Sequence, residues 1–168
     1  MSFRINHSSL VRLVSVSVLA VCVLRAQKTE FSAQVTGLSD GDIIKVNQAG
    51  TEKKIRLWGI DCPEMNQPFG PQAKKFTHDL ALGKTVTVQV LEVDRFKRQV
   101  AFIILPDGRN LNQEIVKAGY AWWFVRYAKD DKVLEQLESE AKLNKRGMWA
   151  GDNPTPPWEH RKQGRGPQ

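Results

Sequence analysis

Residues 85–93 read Thr-Val-Thr-Val-Gln-Val-Leu-Glu-Val, which puts Val86, Val88 and Val90 on one face of an extended strand and Thr85, Thr87 and Gln89 on the other. One strand of this kind cannot bury its apolar face alone and needs partners. Four further short, β-branched segments supply them, at 31–38, 42–47, 53–60 and 98–105. Ser39-Asp40-Gly41 and Gln48-Ala49-Gly50 are turn sequences between the first three, which predicts a meander, and the charged link Asp94-Arg95-Phe96-Lys97 joins the last two. Helical spacing predicts helices over 70–82, 111–118 and 132–144. Five strands with a helix after the third predict a β-barrel with helices, a five-stranded OB-type fold carrying three α-helices.

The 168 residues leave room for one ordinary domain with appendages. At the start, Arg4 and Arg12 precede the apolar run Leu13 to Leu24, closed by Arg25-Ala26, so residues 1–26 read as a secretory signal peptide. The run is too short for a permanent bilayer span. Export is the expectation, to the periplasm or the medium. Leu19-Ala20-Val21-Cys22 loosely resembles a lipoprotein box, so lipid anchoring through Cys22 stands as an alternative to cleavage near Ala26. Cleavage there leaves Cys62 as the single cysteine, which excludes an intrachain disulfide in the product.

Residues 27–150 form the expected domain. Residues 151–168 hold four prolines, three glycines and Arg161, Lys162 and Arg165, a composition that predicts a disordered basic tail. The formal charge is +7; loss of residues 1–26 removes three arginines and no acidic residue, leaving +4. A basic surface favours a polyanionic partner. No Gly-rich phosphate loop is present, which excludes a nucleotide triphosphatase of that type.

Charged residues fall where strands begin and end. Asp42 is in phase with Ile44 and Val46, and Asp61 is in phase with Ile55 and Leu57, so both carboxylates sit at the apolar barrel's mouth. Two such groups grip a hard, oxygen-seeking cation such as calcium; the competing reading is that both belong to ordinary turns. Arg98 is in phase with Val100, Phe102 and Ile104, which aims it at the apolar side, either as a functional group or in a structural ion pair. Strict alternation places Arg56 opposite Asp61, unless a bend at Gly59 brings them together. Cys62 has no histidine in a neighbouring motif, since His7, His78 and His160 lie elsewhere, and this argues against a thiol nucleophile.

Asp40-Gly41-Asp42, the run from Ile55 to Glu64 and the run from Asp94 to Arg98, with Gly70-Pro71-Gln72-Ala73 and Lys145-Arg146-Gly147-Met148-Trp149, resemble the signature segments of the staphylococcal nuclease family in order. The resemblance spans about 31–150. It implies an OB barrel that binds Ca2+ through Asp42, Asp61 and the backbone carbonyl of Cys62. It implies Arg56, Glu64 and Arg98 as catalytic residues, Glu64 activating water, and Arg95, Phe96 and Tyr127 as substrate contacts. It also implies hydrolysis of DNA and RNA at the 5′ P–O bond, leaving a 3′-phosphate. A monomer is expected. Cys62 replaces the prototype's threonine, and Arg95-Phe96 replaces its Lys-Tyr pair. The alternative is an OB module that binds nucleic acid without cutting it, a role to which unpaired carboxylates beside phosphate would be adverse.

Overall fold

A computed structural model describes residues 29–163, so the leader and Cys22 lie outside the described residues. The expected barrel is present. Strands β1 (Thr29–Leu38), β2 (Ile43–Gln48) and β3 (Thr51–Leu57) form the meander, and β5 (Thr85–Val93) and β6 (Gln99–Ile104) complete a closed barrel in the order β1-β2-β3-β6-β5. All pairs are antiparallel except β3 with β6, which run parallel. Between β3 and β5 come the two-residue strand β4 (Ile60–Asp61) and helix α1 (Gly70–Ala81). Ile44, Val46, Ile55, Leu57, Val86, Val88 and Ile103 fill the barrel, each 1% exposed or less.

The remaining elements follow β6 in the chain. They are α2 (Leu111–Lys117), β7 (Trp122–Trp123), α3 (Val125–Ala128), α4 (Lys132–Leu143), a 3₁₀ turn (Gly147–Ala150) and α5 (Pro157–Gln163). Asn110 caps α2 by accepting from the Asn112 and Gln113 amides, and Asp131 caps α4 through the Val133 and Leu134 amides, both favoured N-cap residues. Buried Asn112 donates to the Trp58 and Ala101 carbonyls and accepts from the Ile103 amide, tying the end of β3 to β6.

The structure corrects the sequence reading in three places. Five α-helices are described rather than three, because the short α3 lacks a periodic pattern and α5 lies in the stretch read as a tail. That stretch is ordered as far as Gln163: Pro157 is buried, and the Trp158 ring stacks on Phe124 at 5.4 Å and meets Trp122 edge-on at 6.3 Å. Aromatic burial outweighs the disordering effect of the surrounding Pro and Gly. Along β6 and the residue after it the interior face is Ala101, Ile103 and Leu105, not Val100, Phe102 and Ile104, so Arg98 does not point into the barrel. Phe102 packs edge-on against Trp58 at 4.9 Å on the other face, and a strand covered on both faces carries no readable alternation.

Candidate active site

The chain bends after β3 because Gly59 takes φ 75°, a left-handed conformation favourable to glycine, and a Cβ there would strike Leu134. The bend ends one strand and starts β4, which pairs antiparallel with β7, Asp61 opposite Trp122. Arg56 and Asp61 thereby meet despite their strand phase: the Arg56 Nη2 donates to Asp61 Oδ1 at 2.9 Å. Arg56 Nη1 donates to the Leu57 carbonyl at 2.8 Å and lies 3.2 Å from Asp42 Oδ2. The Cys62 amide donates to the same Asp42 oxygen at 2.6 Å. Asp42 and Asp61 are 5% and 2% exposed, so one guanidinium bridges two buried carboxylates, as the bend requires.

Glu64 stands on the loop that follows. Its amide donates to the side chain of buried Gln67 at 2.8 Å, and Gln67 Nε2 donates to the Thr155 carbonyl at 3.2 Å. At the start of α1, Gly70 lies so close to the Glu64 carbonyl that a Cβ would collide with it, so this loop depends on a residue without a side chain there. The Glu64 carboxylate accepts from Arg161 Nη1 at 2.7 Å, and Asp61 Oδ2 accepts from Arg161 Nη2 at 2.7 Å. Gln67 and Arg161 are the site residues that sequence reasoning missed. A lone Trp158 in an otherwise polar stretch was the only signal for the second.

The other expected residues lie apart from this cluster. Arg98 Nε donates to Asp94 Oδ2 at 2.7 Å, and Asp94 Oδ1 accepts from the Phe96 and Arg98 amides, so Arg98 is held by its own hairpin. Parallel pairing sets Arg56 beside Val100, which leaves Arg98 on the same outer face as Arg56, two residues along. Phe96 is exposed, with Arg95 at 4.7 Å and Arg98 at 5.1 Å from its ring centre. Tyr127, also exposed, packs on Phe124 at 5.1 Å. Trp122 is buried, and the Trp123 indole donates to the Ala128 carbonyl, so these two rings are structural.

Charge at the cluster suits a divalent cation. Asp40, whose carboxylate accepts from the Asp42 amide, joins Asp42, Asp61 and Glu64 against the two guanidiniums of Arg56 and Arg161, an excess of two negative charges. The donors are carboxylate oxygens, the ligands calcium takes. Among the described residues no three acidic, His or Cys side chains converge as a ready cage, so backbone carbonyls and water would complete the shell. Burial pushes the Asp42 carboxyl up to about 7, the Arg56 charge opposing it and that of Asp40 adding to it. Burial, with the Asp42 charge, raises Asp61 as well. The Cys62 thiol is pushed well up by burial, which keeps it protonated and unreactive.

A stability prediction follows from Asp42. A carboxyl raised in the fold favours folding while protonated, so its contribution is full below the ordinary value near 3.8 and is lost as pH rises through about 7. Asp94, held below its ordinary value by hydrogen bonds from Arg98 that outweigh burial, is ionised in both states by pH 5 and cannot mask the effect. Thermal melts in chelator should give a lower Tm at pH 8 than at pH 5, and Asp42→Asn should flatten the difference. A Tm that rises over this interval in the wild type contradicts the assignment.

The structure thus sets two buried carboxylates, bridged by an arginine, beside a closed OB-type barrel. The model of the family described as "Staphylococcal nuclease homologue" matches residues 54–151. The chain is 40% identical over 135 residues to an "Uncharacterized endonuclease" of Escherichia coli O157:H7, covering 79% of this chain and 88% of that protein. It is 34% identical over 148 residues to an "Uncharacterized endonuclease" of Haemophilus influenzae, covering 88% and 80%. It is also 31% identical over 165 residues to the "Micrococcal nuclease" of Shigella flexneri, covering 92% and 95%. The chain belongs to the staphylococcal nuclease family.

Proposed function

We propose that this chain is an exported, calcium-dependent nuclease that hydrolyses the phosphodiester bonds of DNA and RNA at the 5′ P–O bond, leaving 3′-phosphate ends. The observation that carries the reading is the Asp42–Arg56–Asp61 bridge, with contacts of 3.2 and 2.9 Å, beside Glu64. A module that only binds nucleic acid gains nothing from buried carboxylates, which repel phosphate unless a cation intervenes.

Asp42, Asp61 and the Cys62 carbonyl would hold calcium, which supplies neutralising charge at the phosphate when bound. Arg56 presents a planar fork suited to two phosphate oxygens and stabilises the charge that develops as water attacks phosphorus. Glu64 takes the proton of that water, and its loop, pinned by Gln67, sets the carboxylate's position. Arg98 reaches the phosphate by leaving Asp94, from the same outer face as Arg56. Arg95, Phe96 and Tyr127 offer exposed cations and rings that stack on bases without reading them.

Digestion of end-labelled DNA and RNA strands in calcium, followed by phosphatase treatment, checks the chemistry. Both should be cut, with products bearing 3′-phosphates; uniform 5′-phosphate products contradict the proposed bond. Among the described residues no helix is long and apolar enough to cross a membrane. Export rests on the charged and apolar pattern of residues 1–26. Intact mass of the purified product separates cleavage near Ala26 from lipid at Cys22, and light scattering tests the proposed monomer.

A further inference from the structure

The helix α5 lies beyond the residues matched by the family model, which end at 151, yet it carries a guanidinium into the carboxylate cluster. Arg161 bonds Asp61 Oδ2 and Glu64 Oε1 at 2.7 Å each, with a longer contact of 3.4 Å to Asp61 Oδ1. Its position does not depend on those bonds. Trp158 stacks on Phe124, Pro157 is buried, the Thr155 carbonyl accepts from Gln67, and the His160 ring lies 3.1 Å from the Asn66 side chain. With the ion pairs broken, α5 stays anchored and Arg161 stays within reach of the site.

The two carboxylates that Arg161 occupies are those assigned to the metal and to the attacking water. A cation on Asp61 and a water on Glu64 compete with the guanidinium for the same oxygens, and the charge released has one new anion available, the phosphate of the incoming strand. A guanidinium fork suits that partner. Beside it, Phe124, Val125, Arg126, Trp158 and Lys162 line an open cleft of about 330 Å3, with two aromatic walls and two cations. Trp158 and Lys162 are one turn apart on α5, and Arg161, three residues after Trp158, is its neighbour on the helix surface without itself lining the cleft. Such a cleft accepts a nucleoside flanking a backbone phosphate.

We infer that Arg161 is a third phosphate-binding arginine of this site, carried by the C-terminal helix and exchanging its carboxylate partners for a backbone phosphodiester of the substrate strand. The inference rests on the nuclease reading above and adds a residue to it. Arg56 and Arg98 approach from the barrel strand β3 and from the hairpin before β6, whereas Arg161 comes from α5.

Arg161→Gln and Arg161→Lys test it in the full chain. Calcium binding is titrated calorimetrically without nucleic acid, and binding of a phosphorothioate-linked oligonucleotide, which resists cleavage, is measured in calcium over a salt series. Arg161→Gln should lower oligonucleotide affinity about tenfold or more, reduce the salt slope by about one, and raise KM, while calcium binds at least as tightly as in wild type. Arg161→Lys should recover part of the affinity, because the charge returns without the fork. Unchanged oligonucleotide affinity and salt slope, with tighter calcium binding, would overturn the inference and leave Arg161 as an occupant of the metal's carboxylates. Failure of the nuclease reading looks different: the wild type itself then cuts nothing in calcium. Thermal melts confirm that both variants are folded.

Discussion

Replacing Glu64 by Gln should lower the single-turnover cleavage rate by about 10²–10⁴-fold at saturating calcium, because the amide keeps the side chain's size and loses its basicity. That range corresponds to roughly 3–5 kcal/mol of transition-state stabilisation. The fold should survive, since the side chain is about a third exposed and makes a single ion pair, with Arg161. Its backbone anchor is independent of the carboxylate, being the hydrogen bond that the Glu64 amide donates to the Gln67 side-chain oxygen. Calcium affinity should change little, as the proposed ligands are Asp42, Asp61 and the Cys62 carbonyl. A short labelled DNA strand mixed with excess enzyme, read by quenched flow beside a thermal melt, separates chemistry from folding. Cleavage within a few-fold of wild type shows that Glu64 does not take the proton.

The second large effect is expected at Arg56. Its guanidinium serves three acceptors at once, the Leu57 carbonyl, Asp42 and Asp61, from a side chain that is 14% exposed. Lysine keeps the charge but lacks the planar fork, so it cannot serve both carboxylates and present two donors to phosphate. Arg56→Lys should reduce kcat by roughly 10²–10³-fold, the scale of losing one preorganised donor at a developing charge. Stability should fall too, because a buried carboxylate left without its partner is costly. Addition of calcium should restore much of the melting temperature without restoring kcat, which distinguishes catalytic from structural loss. Wild-type turnover in Arg56→Lys would reduce this residue to a structural bridge.

Much of the barrel was legible because its strands alternate cleanly. Val86, Val88 and Val90 face inward as read, and the phase of Asp42 with Ile44 and of Asp61 with Leu57 does correspond to burial. Turn residues marked the meander, and the three longer helices begin at the residues expected and end within one of them. Phase failed in β6, where Val100 to Leu105 is apolar on both sides and only the packing of Trp58 and α2 tells them apart. The encounter of Arg56 with Asp61 uses the bend that Gly59 offered in the sequence, but it also required a two-residue strand in which Ile60 pairs with Trp123, a long-range contact that no local pattern encodes. Docking of α5 is the same kind of event. Composition measures whether a segment can build its own core, and it says nothing of a segment that borrows one, as Trp158 does from Phe124 and Trp122. Arg161 therefore became visible only with the fold.

Metal dependence is the claim on which the assignments of Asp42, Asp61 and Glu64 all rest. Plasmid and RNA digestion should be followed while calcium is titrated into metal-stripped protein, with excess chelator as the zero point and Asp61→Asn as the control. The account predicts no cutting in chelator, saturable recovery with calcium, and a weaker calcium response in Asp61→Asn. Undiminished digestion in excess chelator would contradict it.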